Sequence, residues 1–230
     1  LASLRAGLPA QLGGAVGTLA AVVELAGSVD GACELTDRVA GRLGLAAAPP
    51  WHTTRAPLTR IGDALAGLCD AWGHLAADVA TGSRTEIGEF AEGSGGGSST
   101  MPHKNNPVRS VLIRRAALTT GPLAATLHTA AGVSVDERAD GGWHAEWATI
   151  ATLARRTVVA AVHTTELVTG LRVDPDRASA NLAAAGDLGA EQRTMAKLTG
   201  RQPNSTYNGV TDRLVDATLN RAADYLKDAP

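Results

Sequence analysis

Alanine, leucine and valine return every three or four residues through most of this chain, the spacing that keeps one face of an α-helix apolar. The pattern predicts a first helix over 9–27, with Pro9 in its first turn and Gly27 as its stop. Gly13, Gly14 and Gly17 weaken that helix locally, or let a neighbouring helix come close. A second helix is predicted over 32–43, ending at Gly44, and a long third one over 54–80 follows the turn Ala48-Pro-Pro-Trp-His52. The periodicity breaks at 93–97. It resumes near Pro107 and runs to residue 131, with a kink expected at Gly121-Pro122, where proline removes a backbone donor and crowds the preceding turn.

The polar stretch 136–142 leads into another long helix, over 143–170. Asp174 then reads as an N-cap with Pro175 in the first helical position, and shorter helices are predicted over 175–184, 189–199 and 208–227. No fixed-period repeat interrupts this order. Long helices followed by short ones predict an all-α protein. A long-helix bundle spans 1–170 and contains the loop 93–107, and a small C-terminal helical domain spans 171–230.

Composition supports the same class. The chain has 230 residues, 44% hydrophobic but 3% aromatic, so its core is built from small aliphatic side chains that suit close-packed helices better than a β-sandwich. A net charge of −2 makes no electrostatic case for nucleic acid or an anionic membrane, which leaves a small molecule or another subunit as partner. Cys33 and Cys69 fall in helical segments and read as two buried free thiols, with no disulfide framework or metal site. No apolar run reaches the ~18 residues of a membrane span, and nothing reads as a signal peptide, so a cytoplasmic location is expected. The chain begins at Leu1 without a methionine, and its first residues read as the middle of a longer sequence.

The break in the pattern is where the chemistry gathers. Five glycines between 88 and 97 let the backbone approach a ligand closely. Ser98, Ser99 and Thr100 add hydroxyls, Lys104 a fixed positive charge and Asn106 an amide donor. Lys104 is one of only three lysines, against eighteen arginines, which makes its place in this loop less easily ascribed to background usage. A helix opening after Pro107 would turn its N-terminal dipole towards whatever these groups bind. The set suits an anionic substrate, and its simpler alternative is a Gly/Ser loop with helix-capping residues.

The order Ser98-Ser-Thr-Met-Pro-His-Lys-Asn-Asn-Pro107 decides between them, because it resembles the signature Ser-Ser-x-Met-Pro-x-Lys-x-Asn-Pro of the fumarase/aspartase superfamily at every fixed position. By that resemblance Ser98, on a mobile loop, takes the proton beside a carboxylate, and Lys104 and Asn106 bind the carboxylate. Ser99, Thr100 and Met101 are the substrate-binding neighbours in the motif. The implied chemistry is addition to, or elimination from, a carbon next to a carboxylate, with no metal or organic cofactor required.

Pro50-Trp-His-Thr-Thr-Arg55, Gln11-Leu-Gly-Gly-Ala-Val-Gly-Thr18 and Glu137-Arg-Ala-Asp-Gly-Gly-Trp-His-Ala-Glu-Trp147 are similar to the bacterial 3-carboxy-cis,cis-muconate cycloisomerases of that superfamily. The resemblance implies reversible lactone formation on a small tricarboxylate in protocatechuate degradation, and a homotetramer whose active sites are shared between subunits. His144 and Arg55 become further candidate substrate contacts. A helix-packing pair remains the simpler reading of Trp143 and Trp147, and a surface or subunit-interface ion pair that of Arg55. The family's Thr-His motif and its N-terminal domain have no counterpart in these residues, so the chain is expected to be the C-terminal part of a longer enzyme, inactive alone. The alternatives are an adenylosuccinate lyase-like enzyme, sharing the Met-Pro-His-Lys-x-Asn-Pro form, and a non-catalytic helical assembly protein of the same fold.

Overall fold

Residues 4–5, 7–93, 96–97 and 105–227 are described by the computed structural model. Among them run α1 (Ala20–Ala26), α2 (Val29–Leu43), α3 (Ala56–Gly82), β1 (Phe90–Ala91), β2 (Gly96–Gly97) and β3 (Asn105–Asn106). There follow α4 (Val108–Gly132), α5 (Gly142–Gly170), β4 (Arg172–Val173), α6 (Pro175–Ala184), α7 (Ala190–Thr199) and α8 (Thr211–Lys227). The protein is all-α, as the periodicity predicts, and the strands among the described residues are four two-residue pieces in two antiparallel pairs, β1 with β4 and β2 with β3.

Three long helices make the core, and glycine and alanine decide how closely they meet. The buried face of α3 is Gly62, Ala66, Cys69, Gly73, Ala76, Val79 and Gly82, a three-and-four spacing of mostly small residues. Opposite it, Ile113, Ala116, Thr120, Ala124 and Leu127 face inward from α4. Gly62 meets Leu127 and Gly73 meets Ala117, so α3 and α4 run antiparallel. A Cβ on Gly73 would lie 2.5 Å from that of Ala117, closer than two carbons can sit. Leu153, Ala160 and Leu167 of α5 complete the interior. Its buried Thr157 and Thr164 return their hydroxyls to the carbonyls of Leu153 and Ala160, at 2.9 and 2.8 Å, so burial leaves neither donor unmet.

The helix expected over 9–27 is shorter than its spacing suggests. Helix α1 covers only Ala20–Ala26, because Gly14, Gly17 and Leu19 have φ of 70°, 80° and 58°, outside the helical region. The preceding residues pair instead with the stretch after α2: Ala10 N–H donates to Ala46 O at 2.9 Å, and Ala46 N–H to Leu8 O at 2.8 Å. Helix α2 starts earlier than expected, at Val29, where the Ser28 hydroxyl accepts from Gly31 N–H. Cys69 is buried but Cys33 is exposed, which corrects the reading of two buried thiols. Helix α4 continues as one helix through Gly121-Pro122.

The chain divides into two compact units, Leu1–Ala178 and Ser179–Pro230. In the second, Gln192 donates to the carbonyls of Asn204 and Thr206, and Arg193 pairs with Asp187. The Arg193 guanidinium and the Gly189 N–H hold the Asp187 carboxyl below its usual range. No helix among the described residues is long and apolar enough to cross a membrane.

Candidate functional site

Of the predicted site residues, the described ones, Asn106, Arg55 and His144, fall at two ends of the long-helix core. One end is the stem of the signature segment. Strands β2 and β3 pair Gly96 with Asn106 and Gly97 with Asn105, so the two sides of the motif are drawn together just before α4 begins. Asn106 is half-buried there. Ser98, Ser99, Thr100, Met101 and Lys104 lie outside the described residues.

The stem is fastened on both sides. Gly93 lies against Gly170 at the end of α5, where a Cβ would come within 2.7 Å of the Gly170 carbonyl oxygen. The Phe90 ring fills the space beside Gly82, and Asp174 N–H donates to Glu89 O at 2.8 Å. Glu92 is buried, and its carboxylate accepts from Arg109 N–H at 3.0 Å, Ser110 N–H at 2.8 Å and the Ser110 hydroxyl at 2.7 Å. Those amides belong to the first turn of α4, which the sequence offers as an anion-binding dipole. The structure corrects that expectation: the anion at this helix start is Glu92. Beside it the Arg109 guanidinium pairs with Glu166, with His163 Nδ1 at 3.3 Å from Arg109 Nη1.

The opposite end holds Arg55 and His144. Arg55 makes a two-pronged ion pair with Glu146, Nε to Oε2 at 2.9 Å and Nη2 to Oε1 at 2.6 Å, and Nη1 donates to His52 O at 2.7 Å. Its guanidinium lies 5.0 Å from the Trp51 ring centre and 5.9 Å from that of Trp143. Within this chain, the carboxylate that Arg55 grips is Glu146. The imidazole of His52 is held by Gln11 Nε2 at Nδ1 and by Gly14 O at Nε2, both at 2.9 Å, and Gln11 Oε1 accepts from Trp51 N–H. This explains Gly13, where a Cβ would strike the His52 ring at 2.4 Å, while Gly14 and Gly17 serve by their left-handed φ of 70° and 80°.

A cleft of about 370 Å³ opens over this cluster, lined by Gln11, Gly13, His52, Arg55, Trp143 and Trp147 among others. The exposed His144 stacks at a tilt on Trp147, with ring centres 4.8 Å apart. The Trp143 indole N–H is buried, and no acceptor among the described residues reaches it. Among the described residues, no group of three or more His, Cys, Asp and Glu could hold a metal ion.

One chain does not bring the two ends together. Gly170 touches Gly93 at the stem, whereas His144 stands at the start of the same helix. At a rise of about 1.5 Å per residue, the 26 residues between them separate the ends by roughly 39 Å. Glu92 and Glu146 carry no local signal in the sequence, because each acts on a partner far along the chain, 17–18 residues away for Glu92 and 91 for Glu146.

No family model matches the chain. It is 45% identical over 204 residues to a nitrosuccinate lyase of Streptomyces davaonensis, covering 86% of this chain and 43% of the relative. A 3-carboxy-cis,cis-muconate cycloisomerase of Bradyrhizobium diazoefficiens is 40% identical over 197 residues, covering 84% of this chain and 42% of its own length. The crystal structure of the 3-carboxy-cis,cis-muconate lactonizing enzyme of Pseudomonas putida superposes with a TM-score of 0.73 at 29% identity, over 98% of this chain and 48% of that one. The chain spans less than half the length of each of these proteins.

Proposed function

The chain belongs to the fumarase/aspartase superfamily, and from that premise we propose that it forms part of an enzyme that breaks or makes a bond one carbon away from a carboxylate-bearing carbon. The observation that carries this reading is the signature Ser98–Pro107, complete at every fixed position, with its stem paired by β2 and β3. Ser98 removes the proton next to a substrate carboxylate, and Lys104 and Asn106, with Ser99, Thr100 and Met101 beside them, bind that carboxylate. The electron pair left on carbon spreads into the carboxylate, and a second negative charge builds on its oxygens. A lysine and amide donors at that spot lower the barrier because they meet a charge that grows towards the transition state. The pair then returns to form the carbon–carbon double bond and expels the leaving group from the neighbouring carbon.

In the cycloisomerase reading the leaving group is the lactone carboxylate, and the reverse direction closes the lactone of a tricarboxylate. Similarity to the cycloisomerases at 9–18, 50–55 and 137–147 supports it. A nitrosuccinate lyase is the second reading, favoured by the 45% identity. It needs the same first step on a smaller substrate. The 39 Å separation of the two ends supports a site shared between copies in a homotetramer, with His144 brought from another copy and Arg55 setting the corner beside it through Glu146.

Assay of the full-length protein carrying this chain separates the readings. Loss of 3-carboxy-cis,cis-muconate absorbance supports the first, and nitrite release from nitrosuccinate the second. Ser98→Ala is expected to lower whichever activity is present by about 10²-fold or more. Turnover of neither substrate, or a Ser98→Ala protein within a few-fold of wild type, overturns the proposal.

A further inference from the structure

We infer that Glu92 is a positioning residue for the signature segment, its buried carboxylate tying the incoming side of the stem to the outgoing side. Glu92 directly follows β1 and precedes β2, while its partners, Arg109 and Ser110, come just after β3. The β2–β3 pair is therefore closed twice, by its own backbone register and by three hydrogen bonds to one carboxylate. Pro107, at the N-cap of α4, offers no side-chain acceptor of its own. Its neighbour Gly93 is pressed on Gly170, so a loosened Glu92 leaves the incoming strand attached to α5 but free of α4.

The same contact has an electrostatic side. The first-turn amides of α4 carry the positive end of the helix dipole, and Glu92 occupies it. Replacing the carboxylate by an amide therefore has two separable effects. The stem loses its register, which slows turnover, while the positive helix end becomes available to an anionic substrate, which does not weaken binding. A loss of general fold stability has neither signature.

The test compares Glu92→Gln with Ser110→Ala, which removes only one of the three hydrogen bonds. Amide hydrogen exchange is expected to speed up about tenfold or more at 96–97, 105–106 and 109–110 in Glu92→Gln, with residues 153–164 of α5 unchanged. In Ser110→Ala the same amides exchange only a few-fold faster. The kinetic arm, run on 3-carboxy-cis,cis-muconate or nitrosuccinate, rests on the proposed function: Glu92→Gln lowers kcat about tenfold with KM unchanged or lower, and Ser110→Ala stays within threefold. Wild-type exchange at the stem, or equal acceleration throughout α3, α4 and α5, overturns the inference. If Glu92→Gln does not fold, Ser110→Ala decides: a few-fold rise confined to 96–97, 105–106 and 109–110 supports the inference, and a rise at 109–110 alone or no rise overturns it. If the wild-type protein turns over neither substrate, the proposed function fails while the exchange arm still judges Glu92.

Discussion

Arg55 and Glu146 show how a residue's chemistry can be legible while its partner is not. Arg55 reads as half of a surface or interface ion pair, or as a substrate-carboxylate binder, and it does pair with a carboxylate, but a buried one supplied by the chain itself from 91 residues away. Both side chains are almost entirely out of water, at 9% and 2% exposure, so breaking the pair strands a buried charge. Glu146→Ala is accordingly expected to cost about 3–5 kcal/mol in urea unfolding, more than replacing both residues together by apolar ones of similar volume. A single variant within about 1 kcal/mol of wild type would show that the pair does not hold this corner. The signature residues were legible for a different reason: their order along ten consecutive positions is itself the signal. Glu92 gave no such signal, since an isolated glutamate before a glycine run looks like any solvated charge until α4 is folded back beside it.

At the scale of elements, apolar spacing located the long helices because their buried faces repeat at three and four residues over many turns. It failed over 9–19, where three glycines were placed in a helix. Two of them take a left-handed φ, and Gly13 makes room for the His52 ring. The two-residue strands were not legible either, being too short to carry any alternation. Helix α3 offers a paired test of what its glycines do. Gly67 faces open space, so Gly67→Ala is expected to stabilise the protein by about 0.5–1 kcal/mol through helix propensity. Gly73 touches Ala117, and Gly73→Ala is expected to destabilise by about 1–2 kcal/mol because the added methyl forces the two helices apart. Equal effects from the two substitutions, read from denaturation midpoints, would mean that close approach is not what Gly73 supplies.

For the whole molecule, the decisive quantity is the distance between the stem and the His144 end. A long helix separates the two ends that the proposed function would use together, and α4 and α5 also turn Val111, Leu118, Val158 and Val162 to the outside. Both observations favour assembly from several copies. In the full-length protein, Ser98→Ala and His144→Ala are each expected to lose activity, His144→Ala by about tenfold or more in kcat/KM. Mixed oligomers of the two should turn over faster than either variant alone, and a mixture no faster than its components would place the site within one copy. The amino-acid sequence by itself determined the all-α class, the run of long helices and the presence of the signature motif, since periodicity and motif order are local properties of consecutive residues. Only the tertiary structure decided that Glu92 takes the start of α4, that Arg55 is committed to Glu146, and that the two candidate ends lie roughly 39 Å apart along α5. Burial, pairing and separation depend on which distant segments fold against one another, and that information does not exist in any one window of the chain.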